Sequence, residues 1–528
     1  MNEITAIDLE AGKQSTRPRF LIFIFVLAAT STLWALIAGI ANPPLDQYEF
    51  RQTQTALSVY WLIHGGPWIN YETPVLGAPW SIPFEFPVYQ LVVAAIAYLG
   101  VPLNVAGRLV NFFFYIATLL PLGMLARSTA IGARSFWIVA TLFLSSPLYS
   151  YWSRTFMIES SALFFNLLWL ACLAEFLRNS KWKWCGAAIF SGCLGILAKS
   201  TTFPAYGFLG GLASAIVLYR NWNGSVCRKR VALKAGAVAA IGGVPLLVGL
   251  LWVHHTDAVK SGNVFGNMLT ASALTDWLYG TLAQRLDLHQ WKTALISRTL
   301  PQALGYTWPL GLVLICVGLI KKGHIRLWIA ASVVGFLLPF FLFTNLLFVH
   351  AYYPYDCAVM LLIATGITIE KLFSSKLKIL ETGILLTIVL GQIAYFYHGF
   401  YRFIGNDYSN NEYYQVGEII KNNTPVNSAI VIYGTDWSSV VPYQAERRAL
   451  AVANWFPDSL FDQTLSEPQS FLGDIPLSAI IVCTDGLSGY PIIRKHKIEA
   501  AIEARAILGT AGSCRVFSSS KIPKANEY

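Results

Sequence analysis

The segment from Asn42 to Gln90 concentrates residues that could do chemistry beside a membrane. It follows an apolar run at 20–40 that is long enough to cross a bilayer. Besides many aromatic rings it holds four carboxylates and one arginine, namely Asp46, Glu49, Glu72, Glu85 and Arg51. A connection of this length is unusual inside a membrane protein, and long ordered loops tend to be functional. Acids held beside a membrane next to aromatic rings favour chemistry on a polar substrate that a lipid carries.

The composition is typical of a polytopic α-helical membrane protein. Of 528 residues, 55% are hydrophobic and 12% are charged, whereas about 25% of residues are charged in soluble domains. The net charge of +10 falls mostly in short linkers between apolar runs, as expected of cytoplasmic loops, so we do not expect a nucleic-acid partner. The first apolar run lacks a small-residue cleavage site, which predicts an anchored helix rather than a removed signal peptide.

Charge placement predicts eleven spans, with the N-terminus inside and the C-terminus outside. The apolar run at 86–100 has only 15 residues and begins at a proline-rich turn. If this run crossed the membrane, every later basic cluster would lie on the wrong face, so we predict an interfacial, juxtamembrane helix. The spans are expected at 20–40, 104–126, 135–149, 159–178, 184–198, 203–219, 235–253, 306–320, 327–347, 354–371 and 379–398.

Three parts of the chain follow from this topology. They are a cytoplasmic tail at 1–19, a transmembrane domain at 20–400 with its first outer loop at 41–103, and a small periplasmic α/β domain at 401–528. In the last part we predict helices at 411–421 and 492–508, and strands at 428–434, 478–483 and 514–518. Cys483 and Cys514 lie on two of these strands and are either bridged or buried as free thiols.

Seven ionisable side chains from separate loops meet on the predicted outer face. They are Asp46, Arg51, Glu85, Arg154, Glu159, Lys199 and His350, with Tyr352 and Tyr353 next to His350. Most have simpler explanations: an acid at a helix start for Asp46, a headgroup anchor for Arg51, a helix cap for Glu85, a mutual ion pair for Arg154 and Glu159, and a snorkelling end for Lys199. The topology rests on the placement of basic residues in the short linkers, so the meeting of these side chains on one face is independent support for a site there.

Glycosyl transfer from a polyprenyl-phosphate sugar needs the groups that this face provides. A carboxylate can take the proton of an acceptor hydroxyl. Arginine, lysine, histidine or a divalent cation can stabilise the charge of the departing phosphate. An apolar groove open to the bilayer must hold the isoprenoid tail.

Five motifs carry a resemblance to a known superfamily. They stand at 46–56 (DQYEFRQTQTA), 85–90 (EFPVYQ), 153–159 (SRTFMIE), 198–200 (AKS) and 350–353 (HAYY). With them, the region of about 20–400 resembles the GT-C integral membrane glycosyltransferases, in the group of the protein O-mannosyltransferases and the lipid A aminoarabinose transferase. The resemblance implies a long first outer loop with juxtamembrane helices and a polyprenyl-phosphate-sugar donor.

The resemblance also implies roles for single residues. Asp46 matches the first-loop acid, which serves as base or as a metal or acceptor ligand, with Glu49 beside it. Glu85 matches the acid before the second juxtamembrane helix, and Lys199 matches a lysine near the lipid phosphate. The usual first-loop pair is Asp-Glu, but Gln47 follows Asp46 here, which leaves open whether Asp46 acts alone or with Glu49. Phe86 and Pro87 stand where the lipid A relatives have Lys-Pro-Pro, so aminoarabinose specificity is not carried over.

Together these arguments predict an inverting glycosyltransferase of the bacterial inner membrane that faces the periplasm. Its donor would be a sugar on undecaprenyl phosphate, and its acceptor a hydroxyl on a glycan, lipid or protein. Among the expected catalytic acids, Asp46 is the base or the acid that orients the acceptor, and Glu49 and Glu85 support it. The expected binding residues are Arg51, Arg154, Glu159, Lys199, His350, Tyr352 and Tyr353. A divalent cation, Mg²⁺ or Mn²⁺, is an optional cofactor. The rival hypotheses are a transporter or flippase of lipid-linked sugars and a non-catalytic membrane scaffold.

Overall fold

The computed structural model describes residues 18–129, 132–224, 227–321, 323–372 and 378–521. Nearly all of the predicted tail at 1–19 lies outside these ranges, as do the inside-loop residues Lys322 and Lys376. The fold is a helical membrane domain followed by a small sheet domain, as predicted.

Most of the chain up to residue 404 is helical. Up to the second outer loop they are α1 Pro18–Ile37, α2 Glu49–Ile63, α3 Val88–Tyr98, α4 Leu103–Ala117, α5 Leu119–Ser128, α6 Ala133–Ser145, α7 Pro147–Trp152, α8 Glu159–Asn179, α9 Trp182–Ala198, α10 Phe203–Asn223 and α11 Arg228–Ser261. They continue as α12 Thr275–Tyr279, α13 Leu282–Leu286, α14 Leu288–Trp291, a π-helix Lys292–Thr299, α15 Leu300–Leu304, α16 Trp308–Ile320, α17 His324–Leu342, α18 Thr344–Val349, α19 Tyr355–Leu372, α20 Lys378–Gly399 and α21 Tyr401–Ile404.

The chain is a multi-pass membrane protein. Seven segments of the described chain are long and apolar enough to cross a bilayer: Arg19–Ile37, Leu103–Ser128, Glu159–Asn179, Arg228–Ser261, Leu288–Ile320, Ile325–Leu342 and Lys378–Gly399. Each of the eleven predicted spans coincides with a helix, although α6, α9, α10 and α19 fall outside these seven segments. The number eleven therefore stays a prediction.

Helix α3 is too short to span a membrane. Its 11 residues, Val88–Tyr98, rise about 16 Å, against about 30 Å of hydrocarbon. It packs against α2, α4 and α9. This length agrees with the interfacial helix predicted for 86–100.

Small residues let the membrane helices pack around one tryptophan. A Cβ added at Gly192 of α9 would lie 2.5 Å from the Trp169 ring, and one at Gly210 of α10 would lie 2.6 Å from it. The Trp169 indole N–H also donates to the carbonyl of Ile241 on α11 at 3.1 Å. Trp169 of α8 therefore joins four helices whose close approach depends on these glycines.

The C-terminal domain is a five-stranded sheet with helices on both faces. Its strands are β1 Ala429–Tyr433, β2 Arg448–Val452, β3 Leu477–Cys483, β4 Arg505–Ala511 and β5 Cys514–Lys521, in the order β2-β1-β3-β5-β4. Strands β1, β2 and β3 are parallel, whereas β5 runs antiparallel to β3 and β4. The helices are α22 Glu412–Asn423, α23 Val440–Ala445, α24 Asp458–Ser466 and α25 Ile492–Ile502.

One expectation for this domain is corrected by the structure, and one open alternative is decided. The helix predicted at 492–508 ends at Ile502, and Arg505–Ala511 is strand β4. Residues 505–511 do not alternate regularly between buried and exposed positions. A strand was therefore not recognisable there, and the helical pattern of 492–502 was extended through it. Cys483 and Cys514 face each other in the β3–β5 register and are bridged, which decides between the two alternatives.

The first outer loop adds a strand-like segment to the edge of this sheet. Backbone bonds at 2.8–3.0 Å join Pro74, Val75 and Gly77 to Ala449 and Ala451 of β2. This addition satisfies edge groups that would otherwise be open to other chains.

The loop and the sheet domain also share side-chain contacts. Glu72 of the first loop pairs with Arg448 at 2.8 Å. Val75, Leu76 and Ile82 belong to the same buried hydrophobic cluster as Leu450 and Val452 of β2. The first outer loop and the C-terminal domain are therefore folded as one unit.

Candidate active site at the ends of the helices

Asp46 lies in a buried network of arginines beside the start of α2. Its Oδ2 accepts from the Arg154 guanidinium at 2.9 Å and lies 3.9 Å from that of Arg108. Its Oδ1 accepts from the Gln52 side chain. The side chain is 2% exposed, so this carboxylate is bound to protein donors on both oxygens. The helix begins only at Glu49, after the left-handed Tyr48, and Asp46 does not cap it.

Arg51 and Glu85 bring the two halves of the first loop together. The Arg51 guanidinium donates to Glu85 Oε1 at 2.6 Å and to the Gln54 side chain at 2.5 Å. Both side chains of the pair are partly exposed, at 15% and 24%. Helix α3 starts at Val88 with no side-chain cap, so the interpretation of Glu85 as a helix cap is wrong. Arg51 is an ion-pair partner rather than a free headgroup anchor.

Lys199 is neutralised by two buried carboxylates. Its ammonium donates to Glu159 at 3.2 Å and to Asp356 at 3.0 Å. All three side chains are at most 6% exposed, so Lys199 does not snorkel. Burial would lower the pKa of Lys199, but Asp356 and Glu159 raise it above its ordinary value. Arg154 and Glu159 each have another partner, so their mutual ion pair, considered from the sequence, is wrong.

His350, Tyr352 and Tyr353 form an aromatic wall over this lysine. Ring centroids of the three lie 5.1–5.4 Å apart. The Lys199 ammonium is 4.2 Å from the Tyr353 ring centroid, a cation–π distance. Tyr48 closes the wall from the first loop, 5.0 Å from Tyr352.

His350 is neutral at pH 7. Burial, followed by the charges of Arg51, Lys199 and Arg298, lowers its pKa from 6.5 to about 4. Its Nδ1 is buried without a hydrogen-bond partner in the described part of the chain. Three cations thus surround an imidazole that has an unused polar atom.

Arg51 stays positively charged in this site. Burial alone would lower its pKa, but Glu85, Tyr352, Glu159 and Tyr353 together raise it above the ordinary value. These interacting groups come from four places in the chain: the first loop, the start of α8, the end of α9 and the start of α19. They act on each other electrostatically, as expected of residues that share one face.

Glu49 differs from the other acids. Within the described ranges it has no ion-pair partner, whereas Asp46, Glu85 and Glu159 each have one. It is partly buried, and burial raises its pKa, with Asp46 adding to the effect. An unpaired carboxylate of raised pKa is the form suited to accept a proton.

Three ionisable residues of the site were missed from the sequence. Arg108 reaches Asp46, Asp356 binds Lys199, and Arg298 acts on His350. Arg108 and Asp356 lie inside predicted spans, where a charged residue is expensive and usually functional, so a signal was present. Arg298 falls in a predicted outer loop, against the positive-inside trend, and the structure places it in the π-helix Lys292–Thr299.

An apolar groove lies between four of the membrane helices. It is lined by residues of α8, α9, α10 and α11 and has a volume of about 360 Å³. Ser200 lines it next to Lys199, and Ser214 and Leu246 lie farther along α10 and α11. The groove is lined mostly by apolar side chains, which suit an apolar chain.

The carboxylates as arranged do not fit a divalent-cation site. Asp46, Glu85 and Glu159 are bound to cationic side chains, and a metal ion would have to displace these partners. No group of three His, Cys, Asp or Glu side chains suited to a metal occurs among the residues that the structure describes. A requirement for Mg²⁺ or Mn²⁺ stays a prediction.

Comparisons with known proteins agree with this architecture. Residues 45–255 match the family model of dolichyl-phosphate-mannose-protein mannosyltransferase. No curated protein matches the chain by sequence.

Three solved structures share the fold. ArnT from Cupriavidus metallidurans bound to undecaprenyl phosphate is 12% identical, with a TM-score of 0.64 over 96% of this chain and 99% of that chain. The Archaeoglobus fulgidus oligosaccharyltransferase is 13% identical, with a TM-score of 0.55 over 94% and 73% of the two chains. The arabinofuranosyltransferase AftD from Mycobacteria is 12% identical, with a TM-score of 0.51 over 96% and 40%.

The resemblance drawn from the five motifs is therefore confirmed. The membrane domain that carries them, together with the sheet domain behind it, has the fold of the GT-C integral membrane glycosyltransferases, and residues 45–255 have the sequence pattern of their protein-mannosyltransferase branch.

Proposed function

We propose that this chain is an inverting glycosyltransferase of a bacterial inner membrane, with its site open to the periplasm. It transfers one sugar from undecaprenyl phosphate to a hydroxyl of a glycan, lipid or protein. The observation that carries this proposal is the cluster of Arg51, Lys199, Arg298 and His350, together with an apolar groove whose lining includes Ser200, the residue after Lys199.

The cationic cluster suits the phosphate of a lipid donor. Arg51 and Arg298 have planar guanidinium groups that match phosphate oxygens, and the exposed edge of the Arg51–Glu85 pair leaves room for a ligand. The unused Nδ1 of His350 supplies a further polar contact. The groove lined by Ser200 and Leu246 then takes the isoprenoid tail. Lys199 contributes its charge from beneath, because its own hydrogen bonds go to Glu159 and Asp356.

The reaction is a single displacement at the anomeric carbon. The acceptor oxygen bonds to that carbon as the bond to the phosphate oxygen breaks, and the acceptor proton passes to a carboxylate. The phosphate leaves with an added negative charge, which Arg51 and Arg298 stabilise. One displacement inverts the anomeric configuration.

We assign the base to Glu49 and a positioning role to Asp46. A base needs a free lone pair within reach of the acceptor proton, and both oxygens of Asp46 accept bonds from Arg154 and Gln52. Within the described ranges Glu49 has no side-chain donor and accepts only from its own backbone N–H, and burial raises its pKa. Glu85 orients Arg51.

Transport is less well supported than transfer. Transporters place ionisable residues near the bilayer midplane, between repeated halves. The central residues here come from loops and helix ends: Arg51 in the first turns of α2, Lys199 after α9 and His350 before α19.

The test is sugar transfer by protein reconstituted in liposomes with radiolabelled polyprenyl-phosphate sugars. We expect Glu49→Gln to lower kcat by about a hundredfold or more, which is within the contribution of a general base. The exposed acid Asp474 supplies the matched control, since Asp474→Asn removes the same kind of charge far along the C-terminal domain.

Equal rates for Glu49→Gln and wild type would remove Glu49 as base. The same assay with Asp46→Asn and Glu85→Gln would then identify the acid required. Lipid flipping without transfer for every donor would favour the transporter.

A further inference from the structure

The C-terminal sheet has a topological switch point between β1 and β3. From β1 the chain turns to α23 and then to β2 on one side, whereas β3 continues to α25 and to β4 on the other. Alternate β1 residues face opposite helix layers: Ile430 and Ile432 pack with Val441 of α23, and Val431 packs with Ile498 of α25. Ligands of open α/β sheets bind outside the carboxyl ends of the strands at such a point.

Two glycines let the loops after β1 and β3 meet there. Gly434 has φ +88°, and a Cβ on Gly486 would lie 1.7 Å from its carbonyl oxygen. After Gly434, the β1 loop continues as Thr435, Asp436 and Trp437. The β3 loop begins with Thr484 and Asp485, just before Gly486. The strand ends therefore present hydroxyl, carboxyl and indole groups.

An exposed tryptophan stands beside an acid at this edge. Trp455 follows β2 and is 42% exposed. Its indole N–H donates to Asp436 Oδ1 at 2.9 Å, and its ring meets Phe456 edge-on at 4.9 Å. Asp436 itself has a left-handed backbone, with φ 53°. The hydrogen bond holds the indole plane, so the ring is a fixed apolar surface with a carboxylate next to it.

The same loops contact the first outer loop of the membrane domain. The Trp437 ring lies 4.9 Å from that of Phe50 and 5.9 Å from that of Phe84. The Ser439 hydroxyl donates to the Phe50 carbonyl at 3.0 Å. Phe50 stands between Glu49 and Arg51, and Phe84 precedes Glu85.

Tyr413 of α22 links the two sites electrostatically. Burial raises its pKa, and Glu412, Glu49 and Asp485 raise it further. Glu49, the assigned base, and Asp485, at the switch point, therefore act on the same phenol.

We propose that the loops after β1, β2 and β3 form a carbohydrate-binding subsite that holds the acceptor and presents its hydroxyl to Glu49. The subsite consists of Asp436, Trp437, Trp455 and Asp485. The inference rests on the proposed function for the identity of its ligand. It assigns the acceptor to a glycan rather than to a peptide or a lipid.

The chemistry of the subsite favours a sugar. An indole face packs against the apolar C–H face of a pyranose, while adjacent carboxylates accept hydrogen bonds from its hydroxyls. A lipid acceptor would need a continuous apolar surface, but the Trp455 indole is bonded to the Asp436 carboxylate, and the loop after β3 begins with the exposed polar residues Thr484 and Asp485. A peptide strand would need an open sheet edge, and the first loop already occupies the β2 edge.

The test measures binding of the full-length, detergent-solubilised protein to an array of bacterial cell-envelope oligosaccharides. We expect wild type to bind at least one glycan and Trp455→Ala to bind it about tenfold more weakly, as for the loss of an aromatic anchor. Asp436→Asn removes a charge without changing size and is expected to weaken binding severalfold. Trp68→Ala is the matched control, because Trp68 is an exposed tryptophan of the first loop (70%) outside the subsite.

A second readout separates the subsite from the reaction. In the transfer assay, Trp455→Ala should raise the KM for the acceptor while kcat at saturating acceptor and the Kd for undecaprenyl phosphate stay unchanged. Equal melting temperatures for the variants and wild type exclude unfolding.

The outcomes distinguish the two proposals. Glycan binding that is absent in wild type or equal in Trp455→Ala overturns the subsite, and so does binding of unglycosylated peptides alone. Transfer could still occur in those cases. Trp455-dependent glycan binding without sugar transfer from any polyprenyl-phosphate donor would overturn the proposed function and leave the subsite standing.

Discussion

Lys199 binds two carboxylates that have few other partners. Glu159 and Asp356 are almost fully buried, and one oxygen of each lacks a hydrogen bond in the described part of the chain. Breaking a buried ion pair by removing one partner costs about 3–5 kcal/mol, because a buried charge stays uncompensated. Lys199 therefore stabilises the fold in addition to supplying positive charge to the site.

We expect Lys199→Met to lower the melting temperature of the detergent-solubilised protein markedly. Lys181→Met, at an exposed lysine before α9, should melt like wild type. Adding Glu159→Gln and Asp356→Asn to Lys199→Met should restore much of the stability, because the buried charges are then gone. Unchanged melting of Lys199→Met would contradict this account.

His350 predicts a pH dependence whose sign follows from its surroundings. Its pKa is lowered from 6.5 to about 4, so between these values the unfolded chain binds a proton that the folded chain does not. Its contribution to stability is therefore constant above about pH 6.5 and falls as the pH drops towards 4. We expect the melting temperature of wild type to decline over this window more steeply than that of His350→Gln. Parallel declines for the two proteins would show that other groups cause the loss.

Residue types predicted the site better than residue roles. The sequence brought Asp46, Arg51, Glu85, Lys199 and His350 to one face, because charge placement alone fixes which loops share a side of the membrane. It could not predict the partners, since pairing depends on packing between helices far apart in the chain. Lys199 and Asp356 are an example, at 157 positions apart.

At the scale of elements, the first loop is fixed by a glycine at the sheet edge. Gly77 donates its N–H to the Ala449 carbonyl at 3.0 Å and has φ +74°. A Cβ there would lie 2.5 Å from the Phe471 carbonyl oxygen. Any side chain at this position must therefore push the loop away from β2.

We expect Gly77→Ala to loosen the loop and to make it a site of limited proteolysis. Gly65→Ala is the control, because Gly65 has φ +91° in the same loop but no atom within 4 Å of its added Cβ. Both variants carry the backbone strain of a left-handed residue, about 1 kcal/mol, and only Gly77→Ala adds the clash. Equal cleavage rates would assign the effect to strain alone.

Element prediction succeeded where one periodicity dominated. The helix expected at 411–421 is α22, which spans Glu412–Asn423. Strand β2 and helix α24 were missed, because Arg448–Val452 is a short apolar run without alternation, which periodicity alone does not assign. The edge pairing of 74–77 left no sequence signal, because it consists of backbone bonds.

At the scale of the whole molecule, the cysteines test the predicted orientation. The bridged pair Cys483–Cys514 lies in the C-terminal domain, and Cys227 is an exposed free cysteine at the start of α11, in a predicted inside loop. Disulfides persist in oxidising compartments, which agrees with a periplasmic domain.

In intact cells without an outer membrane, we expect a membrane-impermeant maleimide to label Cys483 and Cys514 only after reduction. Cys227 should be labelled only after the membrane is opened, and it serves as the internal control. Labelling of Cys227 in sealed cells would reverse the predicted topology.

The hydrophobic cluster shared by the first loop and the sheet domain restricts how this protein can be recombined with its relatives. Val75 and Leu76 fill the same buried space as Leu450 and Val452, and Arg448 lies 3.8 Å from the Trp61 ring centroid. A chimera that exchanges only the segment after residue 404 would leave half of one core behind. A functional graft must carry residues 61–82 along with the sheet domain, so two segments distant in sequence are inherited as a single exchangeable part.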